Sequence, residues 1–179
     1  MKQYNFLWLD VILNEKTIQS FRSISPASNF WQKGFVNALQ KLGHSIHAIG
    51  FPVERVWPYG RFFVSKQEAE LESGIVGSVL GFLNIPFLKN FIQTWVLSRA
   101  TNQYLTRSDK LPDYVITYSC MVKPTDISSA TRVAKQLQKK EGIRWICIVA
   151  DGTAPEGADA YIYLTWHYPQ LQQLKTLSI

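Results

Sequence analysis

The chain has 179 residues, which is long enough for a domain with a substantial hydrophobic core. Apolar residues make up 46% and charged residues 18%, so the composition excludes a disordered or collagen-like protein. The formal net charge of +6 favours anionic partners such as phosphates, nucleotides or acidic lipid surfaces.

The first apolar run, residues 5–12, predicts a strand. Asp10 interrupts this run and no small-residue cleavage site follows, so we expect a buried strand and not a secretion signal. No apolar stretch reaches the ~20 residues that a membrane span requires. We therefore expect a cytoplasmic chain without a spanning helix.

Residues 25–44 predict the first amphipathic helix. Its apolar face carries Trp31, Phe35, Ala38, Leu39 and Leu42, and its polar face carries Gln32, Lys33, Asn37, Gln40 and Lys41. We expect Ser28 or Asn29 to accept the free backbone donors of the first turn, and Gly43 to end the helix.

Short apolar runs and helical patterns alternate along the rest of the chain. Further strands are predicted at residues 45–51, 61–64, 113–118, 144–149 and 160–164. A helical pattern begins at residue 123 and ends at Gly142, and an apolar helical segment is predicted at about 73–106. This alternation predicts an α/β fold, a Rossmann-like three-layer domain with a mainly parallel sheet, over residues 1–179.

Parallel sheets bind ligands at the carboxyl ends of their strands. The loops at residues 14–29, 119–124, 151–157 and 165–167 should therefore form the functional edge. No glycine-rich dinucleotide fingerprint or P-loop is present, and the basic residues are too dispersed for a nucleic-acid face. We expect no metal, no cofactor and no nucleic acid.

Three segments, residues 30–51, 112–119 and 142–166, resemble the amino-terminal, acceptor-side domain of GT-B fold glycosyltransferases of family 4 (group 1). The last of these segments ends in Ala158-Asp159-Ala160-Tyr161-Ile162-Tyr163-Leu164-Thr165, which is similar to the short "aDayiyLs" strand of that family. The family often carries a histidine after the penultimate strand, where this chain has Asp151. Its paired-glutamate donor motif does not occur before the sequence stops at Ile179.

The resemblance implies half of an enzyme, either truncated or one chain of a split enzyme. Its reaction would be transfer of a sugar from a nucleotide-sugar to a glycan or lipid-linked acceptor. A carboxy-terminal domain or partner chain would bind the nucleotide-sugar. Alone the chain should be inactive. The alternative is a non-catalytic Rossmann-like binding or regulatory subunit.

Asp151 is the candidate catalytic base or acceptor anchor, with a turn cap as its structural alternative. Candidate residues for binding acceptor or phosphate are Ser28, Asn29, Lys33, Tyr118, Ser119, Lys123, Thr153, Thr165 and Trp166. The apolar block at residues 75–97 raises two further alternatives, which are peripheral contact with an anionic membrane and a helical pair packed in the core.

Overall fold

The computed structural model describes residues 2–21, 25–66, 70–121 and 127–164. In chain order its elements are β1 (Asn5–Trp8), α1 (Glu15–Ser20), α2 (Pro26–Lys41), β2 (Ser45–Gly50), β3 (Phe63–Val64), β4 (Val76–Val79), β5 (Phe82–Leu83), α3 (Lys89–Arg107), β6 (Tyr114–Met121), α4 (Ser129–Glu141), β7 (Arg144–Gly152) and β8 (Ala160–Tyr163).

The main sheet has six strands in the spatial order β4-β2-β1-β6-β7-β8. Every neighbouring pair in it is parallel. When only these strands are numbered, the order is 3-2-1-4-5-6, which is the strand order of the Rossmann fold. The prediction of a Rossmann-like α/β domain is confirmed.

The two faces of the sheet pack against different helices, because successive strand residues point to opposite sides. Trp8 of β1 lies in one core with Val36 of α2. Leu7, its neighbour, lies in the other core with Leu97 of α3 and Val133 of α4. The molecule therefore has three layers, with α2 on one face and α3 and α4 on the other.

Helices α2 and α4 form where the sequence predicts them. Gly43 and Gly142 follow them with φ angles of 84° and 66°, in the left-handed region that glycine tolerates. The predicted start of α2 is wrong, since Ser25, and not Ser28 or Asn29, is the N-cap. The Ser25 hydroxyl accepts the Ser28 N–H, and Pro26 occupies the first helical position, where its missing N–H costs nothing.

The helical segment expected at 73–106 is half wrong. Residues 76–79 form the edge strand β4, and α3 begins only at Lys89. Gly77 of β4 lies so close to the backbone of Ala48 in β2 that a Cβ would not fit. Helical periodicity in the sequence contains no information about this packing requirement. The predicted strand at 61–64 is short, and it pairs as β3 with β5 in a separate antiparallel sheet.

Candidate functional site

A crevice of about 600 Å³ lies where the strand order of the main sheet reverses. The chain leaves β1 for β2 on one side and later returns to β6 on the other, so the carboxyl ends of β1 and β6 border an open space. Its lining includes Asp10, Ser28, Asn29, Trp31, Gln32, Tyr118 and Asp151. A mainly apolar crevice with a few converging polar groups is typical of small-molecule sites.

Tyr118 and Asp151, two predicted site residues, both reach this crevice. Tyr118 extends from β6, and its ring centroid lies 5.9 Å from that of Trp31 on α2. Asp151 lies near the end of β7, is exposed, and accepts the Gly152 N–H at 2.7 Å. Two aromatic rings and a carboxylate therefore border the same opening.

Asn29 also lies at the crevice, but its side chain is already bonded to the protein. Its Oδ1 accepts the Leu13 N–H at 2.8 Å, and its Nδ2 donates to the Leu13 carbonyl at 2.9 Å. Asn29 is buried, so this two-point clamp fixes the loop after β1 against α2. Ser28, one residue earlier, is half-buried and lines the same crevice.

Lys33 is not part of the crevice lining. Its Nζ lies 3.1 Å from the Glu72 carboxylate, a partner 39 positions further along the sequence. The place of Lys33 on the polar face of α2 could be predicted from the sequence. Its ion pair with Glu72 could not, because the two residues are far apart in the chain.

The structure does not bring Ser119 to the crevice either. Strand alternation places the Ser119 side chain on the sheet face opposite Tyr118, where it is buried. Thr153 follows β7 and is exposed outside the crevice lining. The remaining candidates, Lys123, Thr165 and Trp166, lie outside the described residues.

Asp10 is a site residue that the sequence analysis missed. It lies two residues after the end of β1 and lines the crevice. Burial raises the pKa of its carboxyl to about 7, although hydrogen bonds from the Val11 N–H and from Gln32 act in the opposite direction. The sequence signal was present, since an acidic residue after the first strand of a parallel sheet stands at its ligand edge.

Gln32 is the second missed residue, and its predicted place on the polar face of α2 is wrong. It is buried, and its Oε1 accepts the indole N–H of Trp8 at 3.1 Å. An indole N–H is a donor only, so this bond fixes which end of the Gln32 amide is oxygen. The amide nitrogen is therefore the end available to Ser28, 3.5 Å away, and to Asp10.

Among the described residues, no group of three or more His, Cys, Asp and Glu side chains is placed to hold a metal ion. Within that same set, no helix is both long enough and apolar enough to cross a membrane.

Comparisons with protein-family models, curated proteins and solved structures give no match to this chain. Function is therefore inferred from the residues that the fold brings together. Strand order alone does not decide it, because one fold supports many activities.

Proposed function

We propose that the chain is the acceptor-side domain of a GT-B, family 4-like glycosyltransferase and that the crevice holds the acceptor. A donor domain on another chain or segment would complete the site, and a sugar would pass from a nucleotide-sugar to a hydroxyl of a glycan or lipid-linked acceptor. The observation that carries the proposal is the convergence on one crevice of Asp10 from the loop after β1, Tyr118 from β6 and Asp151 from β7.

The charge of the crevice supports a neutral, hydroxyl-rich ligand. Asp10 and Asp151 supply carboxylates, while no Lys or Arg is among the described residues that line the crevice. A diphosphate would be repelled there, whereas carboxylates accept hydrogen bonds from sugar hydroxyls. This charge pattern suits an acceptor better than a nucleotide donor.

The aromatic rings at the crevice support the same proposal. The rings of Trp31 and Tyr118 line the crevice beside the polar groups. A sugar has both C–H faces and hydroxyl edges, so it can contact rings and carboxylates together. Asp151 is then the anchor for one acceptor hydroxyl, and the Asn29 clamp keeps the loop after β1 in place.

Chemical-shift mapping by NMR tests this proposal on the purified chain. The probes are methyl β-glucoside, methyl α-mannoside and methyl N-acetyl-β-glucosaminide, with UDP and NAD as anionic comparisons. We expect at least one glycoside to shift the Trp31 indole and Tyr118 signals, and Asp151→Ala to weaken that binding. If UDP or NAD shifts these signals and no glycoside does, or if no probe shifts them, the acceptor site is contradicted. The regulatory-subunit alternative is then favoured.

We further propose that an exposed aromatic surface carries this domain to an anionic membrane. The surface consists of Trp57, Tyr59, Phe62, Phe87, Phe91 and Trp95, all exposed. Buried Asn84 connects the loop at residues 55–61 with the segment that leads into α3, because its side chain donates to the carbonyls of Arg55 and Arg61. A group of large exposed apolar residues commonly marks a site that contacts a membrane or another protein.

Charge and backbone geometry support a lipid partner. Residues 73–107 contain no Asp or Glu, and the Arg99 guanidinium lies 5.7 Å from the Trp95 ring. Phe87 has a φ of 62°, a costly conformation for a bulky residue, and its side chain is fully exposed. Aromatic side chains beside cations are the usual composition of a membrane-interface surface.

Liposome flotation tests the membrane proposal. We expect the chain to float with vesicles of phosphatidylglycerol and phosphatidylcholine at low salt. The triple variant Phe87→Ser, Phe91→Ser and Trp95→Ser should remain in the bottom fraction of the gradient. Phe30→Ser is the matched control, because Phe30 is an equally exposed aromatic residue on α2. If the unaltered chain does not float, or if the control loses as much binding as the triple variant, the membrane proposal is wrong.

A further inference from the structure

We propose that Asp10 accepts the proton of the acceptor hydroxyl and that Gln32 is the residue that positions its carboxylate. This inference rests on the proposed function, because it assigns a role within the acceptor crevice. It also moves the base from Asp151, the sequence-based candidate, to a side chain at the point where the strand order reverses.

The backbone at Asp10 is fixed by close packing. Asp10 follows β1 and lines both the crevice and the smaller cleft beside it. Gly50, at the end of β2, approaches so closely that a Cβ there would lie 2.7 Å from the Asp10 carbonyl carbon. A larger residue at position 50 would therefore displace Asp10.

The carboxylate of Asp10 is held by donors on two sides. The Val11 N–H donates to Oδ1 at 2.7 Å. The Gln32 amide presents its nitrogen to Asp10, because its oxygen is occupied by the Trp8 indole N–H. This chain of contacts runs from a buried indole to the crevice, so it restricts the direction in which the carboxylate faces.

Burial gives the Asp10 carboxyl a pKa that suits a general base near neutral pH. Its pKa is raised to about 7 by desolvation, so a large fraction is ionised and the conjugate acid is strong enough to release its proton again. The other titratable side chains among the described lining residues of crevice and cleft are Tyr118 on β6, Asp151 on β7 and Lys89 at the start of α3.

The proposed step balances without a further reactant. The acceptor oxygen forms a bond to the anomeric carbon of the nucleotide-sugar, and the bond from that carbon to the diphosphate oxygen breaks. The diphosphate leaves with the bonding electron pair. The hydroxyl proton passes to the Asp10 carboxylate, and the resulting carboxylic acid returns it to water after product release.

The first part of the test follows ionisation of Asp10 in the full chain. We expect the Asp10 carboxyl carbon and the Trp8 indole N–H to titrate together in NMR spectra with a midpoint at about pH 7. Asp10→Asn should abolish the shared transition, and Asp151→Asn should leave it in place. Gln32→Met should move the midpoint upward, since the carboxylate loses a donor. An Asp10 midpoint below about pH 5, near that of an unperturbed carboxyl, would overturn the inference.

The second part measures glycoside affinity against pH. With whichever of the three methyl glycosides shifts the crevice signals, we expect binding about tenfold tighter at about pH 8.5 than at about pH 5.5, because an ionised carboxylate makes the stronger hydrogen bond. Asp10→Asn should bind the glycoside equally at both values. If affinity is the same at both pH values in the unaltered chain, the role of Asp10 is refuted while the acceptor site stands. If no glycoside shifts the crevice, the proposed function fails and this inference fails with it.

Discussion

Helices α2 and α3 both begin at the carboxyl edge of the sheet, yet their first turns are used in opposite ways. The first turns of α2 are capped by Ser25 and bury two polar side chains, Asn29 and Gln32. Those of α3 have no side-chain cap and expose two large aromatic residues, Phe91 and Trp95. Buried polar groups and exposed apolar groups are the departures from ordinary packing that indicate function. We therefore propose that α2 positions groups inside the crevice and that α3 makes an external contact.

The largest expected contrast lies within α3 itself. Leu97→Ala should lower the free energy of unfolding by about 2 to 5 kcal/mol, because Leu97 is 1% exposed and its loss leaves a cavity. Phe91→Ala should change it by less than about 0.5 kcal/mol, since Phe91 is 72% exposed. Urea denaturation measures both. Equal losses in the two variants would show that the aromatic surface serves packing and not contact.

Asp10 provides a pH-dependent test of the α2 side. Its folded-state pKa of about 7 exceeds that of an unfolded aspartate, so the native state binds the proton more tightly and stability falls as pH rises between about 4 and 7. Asp10→Asn removes this penalty and should raise the free energy of unfolding by up to about 4 kcal/mol at about pH 8, with the gain vanishing near pH 4. Urea denaturation across that range measures it. A gain that is constant with pH would contradict the raised pKa.

Asn29→Ala should break the clamp on the loop after β1. The variant leaves the N–H and the carbonyl of Leu13 without their partner, which should cost about 2 to 3 kcal/mol of unfolding free energy. Asn90→Ala is the matched control, because Asn90 is exposed in the first turn of α3. A thermal or urea denaturation series that ranks the two variants equally would remove the contrast between the helices.

The smallest expected effect concerns the start of α2. Ser25→Ala should cost about 1 kcal/mol, because the first turn loses the acceptor for the Ser28 N–H. Ser28→Ala, at a position that sequence reasoning proposed as the cap, should cost less than half as much. If the ranking from denaturation curves is reversed, the helix begins later than the structure places it.

Local sequence patterns predicted the regular parts of the fold well. Strand and helix periodicity, together with Gly43 and Gly142 as helix ends, was enough for α2, α4 and most of the parallel sheet. The same patterns predicted Tyr118 and Asp151 at the ligand edge, since both come at the ends of apolar strands. The alternation of side chains along β6 would also have excluded Ser119 from the crevice that Tyr118 lines, because adjacent residues in a strand face opposite sides.

The parts that could not be predicted depend on contacts between distant segments. Gln32 is buried because the Trp8 indole, 24 positions earlier, requires an acceptor, and no helical pattern contains that information. Lys33 is held by distant Glu72. Strand β4 replaces the expected helix because Gly77 can lie against Ala48 of β2, which is again a tertiary contact.

Photo-crosslinking tests the central claim about the crevice most directly. A methyl glycoside carrying a diazirine would be irradiated with the full chain, and the labelled positions identified by peptide mass spectrometry. We predict labels within α2 near Ser28 and Trp31 and at the ends of β6 and β7, which excess unlabelled glycoside suppresses. Labels confined to the aromatic surface of α3, or labels that the unlabelled glycoside does not suppress, would contradict an acceptor site in the crevice.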